Sequence, residues 1–102
     1  MILTTDDSDS LERLGRRLRL ARLRRNLTQA DVADRAGVTR KTYQALEAGR
    51  PTAGIGLLVK VLAILGYPGR IASLLETDPI GEDLDDIHGR KRAGRTPDVA
   101  DF

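Results

Sequence analysis

At 102 residues the chain is long enough for one small domain with short extensions and too short for two. It has no cysteine, which excludes disulfides, thiolate zinc sites and cysteine nucleophiles, and with only 3% aromatic residues and no Trp its core must come from Leu, Val, Ile and Ala in an all-α fold. The net charge of +2 conceals a sorting of charge along the chain, in which residues 11–50 carry ten Arg and one Lys against four acids, as a polyanion binder would.

Residues 1–9 carry three Asp after the apolar pair Ile2 and Leu3 and are expected to form a loose N-terminal arm. Fraying, a short added strand or a dimer contact would each account for Ile2 and Leu3. Ser10 is the expected cap of a first helix running from Leu11 to about Arg25, with Leu14, Leu18 and Ala21 facing inward. Its other faces carry Arg13, Arg16, Arg17, Arg19, Arg24 and Arg25, which read as a solvated surface or, for Arg16 and Arg17, as phosphate contacts.

The stretch T-Q-A-D-V-A-D-R-A-G-V-T-R-K-T-Y-Q-A-L-E-A-G, residues 28–49, organises the rest. Thr28 can cap a short helix with Asp31 reaching back to its amide, and Val32, Ala33 and Ala36 fall on one face. Gly37 supplies a tight left-handed turn, Thr39 caps a second helix with Tyr43 and Leu46 inward, and Gly49 closes it. Tyr43 is expected to pack in the core with its hydroxyl at the rim. Two short helices around a Gly-centred turn, the second opening on Arg and Lys, predict a helix-turn-helix.

After Gly49 a loop leads into a fourth helix with Ile55, Leu58, Val59, Leu62 and Leu65 as its apolar positions, its start obscured by Gly54 and Gly56. Gly66 ends it. Pro68 then opens a predicted fifth helix over GRIASLLE, where Ile71, Leu74 and Leu75 serve either core packing or a dimer contact. Residues 10–76 make up the predicted domain, and 77–102 a charged, flexible C-terminal tail. Within the tail EDLDDI can fold against a partner and GRKRAGR can follow a DNA groove, and a solubilising role fits equally. His88, the only histidine, has no second ligand near it, and no metal, cofactor or catalytic constellation is expected.

Over residues 11–76 the chain resembles the Xre and phage-repressor family of helix-turn-helix proteins, in which a Gln opens the first motif helix and L-E-x-G ends the recognition helix. The resemblance implies a five-helix domain of lambda-repressor type. It also implies that Arg22 pairs with Glu47 as a structural link between the first and third helices, and that Gln29 binds backbone phosphate and braces Arg40. The L-G-Y-P-G-R-I-A-S-L-L-E end and the charged tail are similar to antitoxins of the HipB type, which repress their own operon and bind a HipA-like kinase toxin. A stand-alone Xre regulator or phage-type repressor without a toxin partner is the alternative.

Only side chains near the start of an inserted helix reach base edges in the major groove, which makes Arg40 and Lys41 the leading candidates. Arg40 suits guanine N7 and O6; Lys41 suits a base or a phosphate. Gln44 lies one turn on, and Ala45 can touch a thymine methyl group. Gln29, Thr28, Thr39, Thr42, Arg50, Arg16 and Arg17 are the candidate backbone contacts, though Thr28 and Thr39 are already explained as caps. One short helix reads few bases, so a homodimer on an inverted-repeat operator is expected, in a cytoplasmic, nucleoid-associated repressor that is neither enzyme nor membrane protein.

Overall fold

The computed structural model describes residues 1–89. Among them are five α-helices, one 3-10 turn and no strand: α1 Thr5–Arg24, α2 Gln29–Ala36, α3 Arg40–Glu47, α4 Ile55–Ile64, the 3-10 turn Arg70–Ser73, and α5 Pro79–Ile87. None of these helices is long and apolar enough to cross a membrane. The basic cluster Arg90 to Arg95, for which a groove-following arm and a solubilising tail are both open, lies outside the described residues.

From Thr5 onward the expected arm, residues 1–9, is helix. Thr4 caps α1 in a reciprocal box: its hydroxyl accepts the Asp7 N–H at 3.1 Å, and Asp7 accepts the Thr4 N–H at 3.0 Å. Asp6 and Asp7 sit in the first turn and Arg22 and Arg24 in the last, so the charges oppose the helix dipole at both ends. The acids that read as a disordered flank are what start this helix, and Ser10 lies inside it. The same Thr-x-x-Asp box recurs at α2, where Thr28 and Asp31 exchange bonds of 3.0 and 2.8 Å.

Leu18 of α1, Val32 and Ala33 of α2, Tyr43 and Leu46 of α3, and Val61 and Leu65 around the end of α4 form one buried cluster. Fully burying a side chain the size of Val or Leu stabilises by about 1.5–3 kcal/mol, so these few residues hold α1 to α4 together. Of the five expected apolar positions of the fourth helix, Leu65 is buried and Leu58 and Leu62 pack on the cluster, but two are not inside. Ile55 and Val59 are exposed, and Val61, outside the expected set, is fully buried. Gly54, outside the helix as its N-cap, lets α4 start at Ile55.

Two glycines let α1 cross the end of α3 closely. A β-carbon on Gly15, in the middle of α1, would lie 2.2 Å from the Glu47 carbonyl oxygen, and one on Gly49 would lie 2.6 Å from the Glu12 backbone. Both obstacles are main chain and cannot swing aside.

The expected fifth helix over residues 69–76 is only a 3-10 turn. Gly69 enters it in the left-handed region, Ser73 bonds the Arg70 carbonyl at 2.8 Å, and Leu74 leaves it extended. Pro68 therefore opens no helix, and Leu74 and Leu75 are exposed. The α-helix of this region is α5, within the segment expected to be flexible tail. Asp78 caps it through the Gly81 N–H at 2.9 Å, and Pro79 occupies its first turn, where a missing N–H costs nothing.

Candidate nucleic-acid interface

The turn between α2 and α3 sets the site. Gly37 adopts φ 76°, and the Val38 N–H bonds the Ala33 carbonyl at 3.0 Å, which reverses the chain tightly. Thr39 Oγ1 accepts the Thr42 N–H at 3.1 Å, so α3 begins at Arg40. Tyr43 and Leu46 fix the inner face of α3 in the core. Arg40, Lys41 and Gln44 are left exposed on its outer face, and Ala45 is half-buried at the edge.

A polar hub lies directly behind that face. Arg22 is buried; its Nε donates to Glu47 Oε2 at 2.6 Å, its Nη2 to Glu47 Oε1 at 3.1 Å and its Nη1 to the Leu27 carbonyl at 2.8 Å. The Tyr43 hydroxyl donates to the same Glu47 Oε2, and Gln29 Nε2 to Oε1 at 3.1 Å. Four donors thus converge on one carboxylate. Burial pushes the Glu47 carboxyl up, but hydrogen bonds from Arg22, Tyr43 and Gln29 outweigh burial and hold it below its ordinary value. The bond to Glu47 raises Arg22 in turn, while burial, and then the Glu47 carboxylate, hold the Tyr43 phenol well above its usual value. The Tyr43 hydroxyl is therefore a proton donor inside the hub, not a group at the rim.

Gln29 joins the hub to the outer face. A carboxylate has no proton to give, so the amide nitrogen of Gln29 must face Glu47, and its oxygen faces outward. There it accepts from Gln44 Nε2 at 2.9 Å and from Arg40 Nε at 3.3 Å. Among the described residues Arg22–Glu47 is the one ion pair, and none of the described acids pairs with Arg40, Lys41 or Arg50.

Lys41, Thr42, Gln44, Ala45 and Arg50 line one shallow depression, together with Thr52, which the sequence did not single out. Thr28, Gln29 and Arg40 line a second, with Arg22 at its back. Arg16 and Arg17 are exposed on α1 and belong to neither. The hydroxyls of Thr39 and Thr42 lie 2.9 Å apart, and Thr28 accepts the Asp31 N–H, so each threonine already has a local partner. The Thr28 N–H, first among its neighbours, holds the Asp31 carboxyl below its ordinary value. His88 is exposed, and no group of acids and histidines able to hold a metal occurs among the described residues.

Arg25, expected in a solvated row, is in fact engaged. It donates to the Leu65 carbonyl at 3.0 Å and to Ala21 at 2.7 Å, and with Arg70 it flanks the Tyr67 ring, at 5.9 and 4.3 Å. It ties the end of α1 to the end of α4. No spacing rule would have found this bond, which spans 40 positions.

Residues 18–71 match the family described as Helix-turn-helix. The chain is also similar to a protein of Sinorhizobium fredii (strain NBRC 101917 / NGR234) described as an uncharacterized HTH-type transcriptional regulator, y4mF. The two are 43% identical over 53 residues, which span 52% of this chain and 70% of that protein.

Proposed function

We propose, on the premise that this chain belongs to the helix-turn-helix family matched by its residues 18–71, that it is a DNA-binding transcription regulator acting as a sequence-specific repressor. The observation that carries the reading is the joint bracing of Arg40 and Gln44 by one amide oxygen on the exposed opening of α3. With Nε held by Gln29, Arg40 keeps its two terminal nitrogens for guanine N7 and O6, a contact worth about 1–3 kcal/mol of discrimination. Gln44 and Ala45 read the neighbouring pair, and Lys41 a base or a phosphate. Arg50, Thr28, Thr39, Thr42 and the N-terminus of α2 at Gln29 grip the sugar-phosphate chain, with Arg16 and Arg17 adding charge from α1.

So few base contacts specify little sequence, and two copies on an inverted repeat about one duplex turn apart multiply it. Binding to the chain's own upstream region, followed across salt concentrations, tests the reading. Affinity should fall steeply with salt, Arg40→Ala should lose preference at one base pair per half-site, and Arg17→Ala should weaken all duplexes alike. Flat binding across salt and sequence would refute it.

Within this reading the regulator is an antitoxin of HipB type, whose second partner is a HipA-like kinase toxin. Its support is the resemblance of the 65–76 segment together with α5, whose Ile80, Leu84 and Ile87 are exposed beside Glu82, Asp83, Asp85 and Asp86. Co-purification with the product of the adjacent gene separates it from the alternative, a stand-alone regulator or phage-type repressor.

A further inference from the structure

The geometry points to Tyr43 as a positioning residue for base reading: through Glu47 and Gln29, its buried hydroxyl sets where Arg40 and Gln44 present their donors. The inference rests on the proposed reading of DNA by α3.

The path is continuous and directional. The Tyr43 hydroxyl and Arg22 Nε meet at Glu47 Oε2, while Arg22 Nη2 and Gln29 Nε2 meet at Oε1. With all four acceptor positions of the carboxylate taken, the group is held against rotation on both oxygens. Its outer oxygen then fixes the direction of the Gln29 amide, and the Gln29 oxygen holds Arg40 and Gln44 together. Arg22 alone would leave Oε2 with a single donor. The carboxylate, still gripped by the two-pronged Arg22 fork, could then tilt out of the guanidinium plane, carrying Gln29 with it and loosening Arg40 at its 3.3 Å contact, the longest in the path. A side chain that never touches DNA would in this way decide how sharply one base pair is read.

The test is Tyr43→Phe in the full chain, which keeps the buried ring and removes only the hydroxyl. The preference for guanine at the pair read by Arg40 should fall about three- to tenfold, the range expected for one lost hydrogen bond. Affinity for non-specific duplex and the salt slope should stay as in the parent protein. In the free protein the Gln29 side-chain amide and the Arg40 Nε–H should shift in NMR spectra. Gln29→Met, which breaks the next link at a half-exposed position, should relax the same base pair, so the idea remains testable if Tyr43→Phe folds poorly. A core variant remote from the carboxylate, Val61→Ala, should lose stability but keep its preference. Unchanged base preference in a folded Tyr43→Phe would overturn the inference whatever Gln29→Met does, as would unchanged preference in Gln29→Met or an equal loss in Val61→Ala. A parent protein that binds no duplex preferentially would instead overturn the reading of DNA by α3 on which it stands.

Discussion

Helices α3 and α5 have 8 and 9 residues, and an oxygen side chain caps each, Thr39 and Asp78. Yet α3 has Tyr43 and Leu46 in the core and Glu47 in the hub, whereas α5 buries no residue and packs at most marginally on the other elements. Local signals are enough to start either helix, but only α3 has its orientation fixed by the rest of the molecule. A DNA-reading surface needs that second property, because base readout requires side chains held at set positions, while a segment that docks on a partner acquires its orientation on binding.

The contrast is sharpened most by Arg22→Ala. Removing one partner of a buried pair leaves Glu47 charged without its counter-ion and the Leu27 carbonyl without its donor, which should cost about 3–5 kcal/mol in chemical unfolding. Unchanged stability with lost DNA binding would turn Arg22 from a structural residue into a contact. Gly15→Ala comes next, at about 1–3 kcal/mol, because the added carbon meets main chain where α1 crosses α3; a stabilised variant would show that the crossing can widen.

Acid acts on the same hub with a smaller effect. The folded-state pKa of Glu47 is depressed, so the stability it contributes is present above the ordinary carboxylate range and is lost as pH falls through the lower folded value. Unfolding followed by circular dichroism should show that loss in the parent protein and a weaker one in Glu47→Gln, already destabilised at neutral pH. At the other extreme, Leu84→Ser in α5 should change the stability of the isolated chain by less than about 0.5 kcal/mol. A loss above 1 kcal/mol that grew with protein concentration would show that α5 packs in a self-assembly, breaking the contrast with α3.

How much could be read in advance follows the same division. The Thr28 and Asp31 box, the left-handed Gly37, the Thr39 cap and the exposed opening of α3 at Arg40 depend on residues three or four apart, and they were legible. The identical box at Thr4 and Asp7 is equally local, but it lies in a polar stretch whose composition points to a loose arm. The pairing of Arg22 with Glu47 came from resemblance, since nothing in a separation of 25 positions announces it. Among the apolar positions of α4 the spacing does not separate the exposed Ile55 and Val59 from the packed Leu58, Leu62 and Leu65, because only the neighbouring helices decide which of them are covered. Gly15 gave a faint sign, an expensive residue in a helix interior, whose cause appears only where α1 meets α3.

The amino-acid sequence alone determined that this chain is helical, where α2 and α3 begin, and that a basic opening sits on the second of them, because caps, turns and periodicity act within one helical turn. Only the tertiary structure decided which face of α4 is buried, that α5 stands apart, and that Arg22, Tyr43, Glu47 and Gln29 converge behind Arg40. Such contacts join groups far apart in the chain, and their energy exists only once packing has brought them together and excluded water.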